Sequence, residues 1–166
     1  MKSIVLYFSY SGNTDEMAKK AADFTSSDIC ELKSPFPLSD DIKIVHDMAV
    51  EAKLFPKERN AIAVPFDHRP YSVFIIGSPL WLGTYPEFVI DYLKSIDWRG
   101  RKIFPFISFA GTRGNYLEEL KAVCKGASVA MPFEMHGNKD FYTRPQEELD
   151  FELWLKQINI FTRNLK

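Results

Sequence analysis

Ser9, Ser11 and Thr14 place three aliphatic hydroxyls within six residues, Ser9-Tyr10-Ser11-Gly12-Asn13-Thr14, between an apolar run and a helical pattern. Such a segment can hold an anion. A helix N-terminus offers backbone N–H groups without partners and the positive end of the helix dipole. Gly12 lets the backbone approach a ligand closely, and the hydroxyls and the Asn13 amide add donors. The hexapeptide holds no Lys or Arg, so an anion would rest on neutral donors and the dipole. The same residue types also cap helices, and alone the segment supports cap and cradle equally.

Two further segments have unusual chemistry. Pro79, Leu80, Trp81, Leu82, Gly83, Thr84 and Tyr85 set a tryptophan between two leucines in a loop. Stacking on a flat aromatic ligand would remove that ring from water; packing on the protein's own surface would do the same. Ala110-Gly111-Thr112-Arg113-Gly114-Asn115-Tyr116 carries two glycines, so its amides can reach the polar edge of a ring. Tyr116 is either a second stacking face or a helix-packing residue. Arg113 is the one cation in the three segments.

These segments need elements to position them. Apolar runs at 3–8, 28–32, 73–77, 103–109 and 128–132 predict five strands. Between them lie helical patterns: Met17, Ala18, Ala21 and Phe24; Val45, Met48, Ala49, Ala52 and Phe55; Val89, Tyr92, Leu93 and Ile96, with Pro86 in the first turn; and Leu117, Leu120 and Cys124, ended by Gly126. A last helix carries Phe151, Trp154, Leu155, Ile158 and Leu165, with Thr143 and Gln146 at capping-box spacing. Residues 56–71 and 133–144 read as connecting loops. Strict β-α alternation predicts an α/β fold: a doubly wound, five-stranded parallel sheet of flavodoxin-like order 2-1-3-4-5 in a three-layer α/β/α arrangement. On that order the first, third and fourth strands are neighbours. Their following loops are the three segments above, and ligands bind beyond the carboxyl ends of such strands.

Composition narrows the function. The 166 residues predict one domain spanning 1–166. A formal net charge of -1 gives no reason to expect nucleic acid or an anionic membrane. Cys30 and Cys124 lack metal or redox spacing. No apolar run approaches the about 18 residues that span a bilayer, and the start has no signal-peptide pattern. A cytoplasmic protein without a metal is expected. G-x-x-x-x-G-K-S/T and G-x-G-x-x-G are both absent, which argues against P-loop and Rossmann dinucleotide sites. His46, His68 and His136 read as surface or packing residues.

"SYSGNT" followed by "GSPLWLGTYP" resembles the flavodoxins and flavodoxin-like FMN proteins of the short-chain type, over nearly the whole chain. The resemblance implies FMN as cofactor. Its phosphate would lie on Ser9, Ser11, Gly12, Asn13 and Thr14. Its isoalloxazine would lie against Pro79, Leu80, Trp81, Leu82, Gly83 and Thr84, with Trp81 foremost. Its pyrimidine edge would meet Ala110, Gly111, Thr112, Arg113, Gly114 and Tyr116. The implied work is electron transfer with a redox partner protein or a small electron donor or acceptor. The alternative is an NAD(P)H-dependent FMN or quinone reductase, in which Arg113, His68 or Arg69 would meet a nicotinamide cofactor. A non-redox flavin-binding module is a third reading. Carrier flavodoxins are strongly acidic and this chain is near neutral, so a weaker field against an anionic reduced flavin is expected.

Overall fold

The computed structural model describes residues 2–54, 62–63, 67–137 and 145–164. In chain order the elements are β1 (Lys2–Tyr7), α1 (Asn13–Thr25), β2 (Asp28–Lys33), α2 (Ile42–Leu54), β3 (Ile62–Ala63), β4 (Tyr71–Pro79), α3 (Glu87–Lys94), β5 (Lys102–Phe109), α4 (Tyr116–Val123), β6 (Ser128–Val129), β7 (Phe133–His136) and α5 (Pro145–Arg163). The sheet runs β3-β2-β1-β4-β5-β6, with β7 also on β5. All pairs are parallel except β3 with β2. The expected 2-1-3-4-5 order is therefore present as β2, β1, β4, β5 and a fifth strand made of β6 and β7.

The central strands are apolar because both their faces are covered. Ile4, Leu6, Phe74, Ile76, Ile103 and Ile107 point to one side, where α3 and α4 add Phe88, Val89, Leu93 and Leu120. Val5, Tyr7, Val73, Ile75, Phe104 and Phe106 point to the other, against Met17, Ala18 and Ala21 of α1 and Phe151, Trp154 and Leu155 of α5. The period-two alternation along each strand thus feeds two separate cores.

Three expectations are corrected. The fifth strand does not run unbroken over 128–132: it pairs with β5 at Ser128 and Val129, stops, and resumes at Phe133–His136. Pro105 supplies the reason. Ser128 and Ala130 donate N–H bonds to the carbonyls of Arg101 and Ile103, so residue 105, two further along β5, faces the same neighbour. Proline has no N–H to give it, and the ladder breaks there. Residues 133–136, expected in a loop, are strand. Within the expected loop 56–71, Ile62 and Ala63 pair antiparallel with Lys33 and Leu32. Phe55, Thr143 and Leu165 lie outside the described residues. Among the described residues no helix is long and apolar enough to cross a membrane.

Both cysteines are buried and free. Burial raises the Cys30 thiol and pushes the Cys124 thiol up to about 12. Because the thiolate is the reactive form, an aromatic disulfide reagent at neutral pH should label the native protein at least ~100-fold more slowly than the denatured chain, where both thiols react. Equal rates would contradict the buried placement.

Candidate functional site

The carboxyl ends of β1, β4 and β5 deliver the three singled-out segments to one edge of the sheet. In the first, Gly12 (φ 98°) turns the chain into α1. The Ser9 hydroxyl oxygen accepts the N–H groups of Gly12 at 3.2 Å and Asp15 at 3.1 Å. Cap and cradle are therefore not exclusive. With both lone pairs engaged, the Ser9 O–H remains to donate outward. The N–H groups of Asn13 and Thr14, in the first turn, have no intrahelical acceptor. Ser11 is exposed, whereas Thr14 is buried with its hydroxyl 3.5 Å from that of Ser108. The donor set fits a phosphate.

Asp15 would repel that anion, and the surroundings restrain it. Its carboxylate accepts 2.6 Å hydrogen bonds from Tyr7 and Lys19. Partial burial pushes the Asp15 carboxyl up, but these two bonds outweigh it and hold the group below its ordinary value. Lys19 thus offsets the loop's nearest negative charge.

The second segment is a tight hairpin. Trp81 and Thr84 exchange backbone hydrogen bonds of 2.8 and 3.2 Å around Leu82 (φ 56°) and Gly83 (φ 75°). Positive φ at both central positions matches a type I′ turn. A leucine there costs on the order of 1–2 kcal/mol, a strain held just past the carboxyl end of β4. Trp81 is half-buried and edge-on to Phe8 at 5.6 Å, Phe88 at 5.9 Å and Tyr10 at 6.1 Å. It belongs to the protein's own aromatic cluster while keeping part of its surface in solvent. Leu80 is buried, and Pro79 ends β4.

The third segment is exposed from Ala110 through Asn115. Its Gly114 packs backbone to backbone on Gly83, so near that a methyl built on Gly114 would stand 2.2 Å from the Gly83 carbonyl oxygen. Tyr116 is corrected as a stacking face. It starts α4, is 1% exposed, lies edge-on to Tyr85 and donates its hydroxyl to Glu134. Helix spacing with Leu120 turns it into the core. Arg113 pairs with the same carboxylate at 2.7 Å, so its charge is partly compensated.

Two contributors escaped the sequence reading. Ser108 joins all three loops: its carbonyl accepts the Leu80 N–H at 2.8 Å, its hydroxyl faces Thr14, and the third loop follows it in the chain. Glu134 sat in a stretch read as loop. Nothing local marked either residue, because their partners lie in other segments: Thr14 of α1 and Leu80 for Ser108, Tyr116 of α4 and Arg113 for Glu134. His68 and Arg69 are corrected as candidate nicotinamide contacts. They precede the amino end of β4, whose nine residues separate them from the carboxyl edge where the three loops gather by roughly 30 Å at strand rise. Arg69 instead pairs with Asp67 at 2.8 Å. His136 ends β7 beside Phe109, ring to ring at 5.0 Å.

A parallel doubly wound sheet whose three singled-out loops gather at the carboxyl ends of β1, β4 and β5 defines a flavodoxin-like protein. The flavodoxin family model matches residues 2–143, and the chain belongs to that family. A flavoprotein from Lactobacillus acidophilus, solved in complex with FMN, is 24% identical with a TM-score of 0.69, over 89% of this chain and 98% of that one. A WrbA-like flavodoxin from Agrobacterium tumefaciens is 16% identical with a TM-score of 0.65, over 99% of each chain. Oxidised flavodoxin 2 from Bacillus cereus is 19% identical with a TM-score of 0.60, over 95% of this chain and 99% of that one. At these identities the likeness is one of fold. The search of curated proteins finds no match.

Proposed function

We propose that this chain binds FMN non-covalently at the carboxyl ends of β1, β4 and β5 and carries electrons between a redox partner protein, or a small donor, and an acceptor. The observation that carries this reading is the juxtaposition of a cation-free anion cradle with a half-exposed tryptophan one strand away. FMN has a phosphate for the first and a flat ring for the second. Ser9, Ser11, Gly12, Asn13 and Thr14 would hold the phosphate. The segment Pro79–Thr84, with Trp81 foremost, would lie against the ring, and the backbone of residues 110–114 would meet its polar edge. FMN supplies the redox chemistry when bound. The chain binds, orients and excludes water. Arg113 brings a positive charge to that edge, moderated by Glu134.

A direct NAD(P)H-dependent reductase of the same fold is the second reading, favoured by the likeness to the WrbA-like flavodoxin. It is weakened by the place of His68 and Arg69 at the opposite edge. Steady-state assays separate the two. The carrier reading expects FMN-loaded protein to accept electrons from a flavodoxin reductase and to oxidise NAD(P)H negligibly with a quinone or dye. Rapid NAD(P)H oxidation would sink it. A colourless protein that ignores added FMN would sink both.

The cradle has its own test. Ser11→Ala and Thr14→Val each remove one hydroxyl, and the second keeps its buried volume. Each should weaken FMN binding roughly tenfold, the worth of a hydrogen bond to a charged group, with thermal midpoints within about 2 °C of the parent. Fluorescence titration of FMN into apoprotein reads the affinity. If both variants bind as tightly as the parent, the hexapeptide is a helix cap only.

A further inference from the structure

Glu134 is the one acidic side chain of β7, and strand alternation aims it. Phe133 and Met135 are buried against α1 and α5, so Glu134 turns to the opposite face of the sheet, where Tyr116 begins α4. Its register partner on β5 is Ile107, one residue before Ser108. The carboxylate therefore stands at the base of the third loop.

One of its oxygens takes two donors. The Arg113 Nε lies 2.7 Å from Oε1, and the Tyr116 hydroxyl donates to the same atom. The guanidinium also lies over the Tyr116 ring, 5.9 Å from its centre. Burial, and then the carboxylate, push the pKa of the Tyr116 hydroxyl up, so Tyr116 stays a neutral donor and adds no charge. Residues 110–115 hold no ionisable side chain besides Arg113. The base of the loop thus carries one positive and one negative charge in contact. Neither is sealed in the core: the side chains are 55% and 26% exposed.

FMN reduced by two electrons and one proton at pH 8 goes from a neutral ring to a singly negative one. A charge near the ring acts mainly on the reduced form. Arg113 alone would favour reduction and Glu134 alone would oppose it. As a pair they do neither. We propose that Glu134 is a positioning residue that sets the reduction potential of bound FMN, by holding Arg113 in a neutral ion pair at the base of the loop that meets the ring edge. This inference rests on the flavin reading above.

A redox titration of the FMN-loaded protein at pH 8 in low salt tests it. Dithionite gives the two electrons and is oxidised to sulfite, and water supplies the proton. The midpoint, with the affinity for oxidised FMN, yields the ratio of reduced to oxidised affinities. Glu134→Gln keeps the shape and an acceptor for Tyr116 but removes the charge. It should move the ratio roughly tenfold toward reduced FMN, which raises the two-electron midpoint by about 30 mV. Arg113→Gln leaves the carboxylate uncompensated and should move the ratio roughly tenfold the other way. The double variant should return to within about threefold of the parent. Both single shifts should shrink in 1 M salt. A pair that merely clasps the loop would weaken both forms of FMN alike. Shifts of one sign in the two single variants, no shift in either, or a double variant that keeps a single variant's shift would therefore overturn the proposal. Arg113 is exposed, so Arg113→Gln carries the sign test by itself if Glu134→Gln fails to fold. A parent protein that binds no FMN would sink the flavin reading and this inference together; tight binding with unmoved ratios would sink the inference alone.

Discussion

Gly77→Ala should lower stability by about 3 kcal/mol, the upper end for overpacking a core, and the thermal midpoint by about 10 °C. Gly77 and Phe106 are register partners in β4 and β5. The Phe106 ring lies across the glycine, so a Cβ there would stand 2.0 Å from Cζ and 2.5 and 2.7 Å from the adjoining ring carbons. Those are rigid aromatic atoms, and the ring has nowhere to retreat. Phe106 is fully buried, with Phe151 at 5.8 Å and Trp154 at 6.3 Å beyond it. The cost should reach the ligand edge too, because the Gly77 carbonyl accepts the Phe8 N–H just before the anion loop. Phe106→Leu, added to Gly77→Ala, should recover 1 kcal/mol or more relative to the sum of the single changes, since the second substitution vacates the clash. Denaturant unfolding of all four proteins checks this, and strict additivity would refute the steric account.

Gly114→Ala should act on the ligand more than on the fold. At φ 58° an alanine costs roughly 1–2 kcal/mol. Its methyl would meet the Gly83 carbonyl oxygen at 2.2 Å and the Gly83 carbonyl carbon and Cα at 2.7 Å. Backbone cannot rotate away as a side chain would, so the second and third loops must separate. Gly114 is exposed and Gly83 is buried beneath it, so it is the third loop that must lift away. On the proposed function, the donors for the ring edge then leave their places. FMN affinity should fall on the order of a hundredfold, the usual penalty for about 1 Å of misplacement of positioned groups. Gly111→Ala is the control: nothing lies within 4 Å of a Cβ there, and its affinity should stay within about threefold of the parent. Equal losses in the two variants would mean that the contact between the glycines does not position the ligand.

Both predictions rest on glycines whose neighbours are distant in the chain. This marks the boundary of what the sequence could tell. The β-α alternation, the five-strand order and the positions of α1, α3, α4 and α5 were legible, because strand and helix periods are written in consecutive residues. So was the anion loop, whose glycine and hydroxyls precede a helix. The split fifth strand was not. Pro105 is visible in the sequence, but which neighbour its missing N–H fails is known only from the register. Trp81 could be recognised as unusual, yet its edge-on contacts with Phe8, Tyr10 and Phe88 bring together three separate elements.

By itself the sequence determined the class of fold, the three loops that follow adjacent strands, and a chemistry of neutral donors beside an aromatic ring. These depend on local propensity and on the spacing of apolar residues along one segment at a time. The tertiary structure alone decided that Ser108 links the loops, that Gly83 and Gly114 touch, and that Glu134 holds both Arg113 and Tyr116. Each depends on how parallel strands are registered and how their crossover helices pack, which brings together residues dozens of positions apart and is set by the whole core at once.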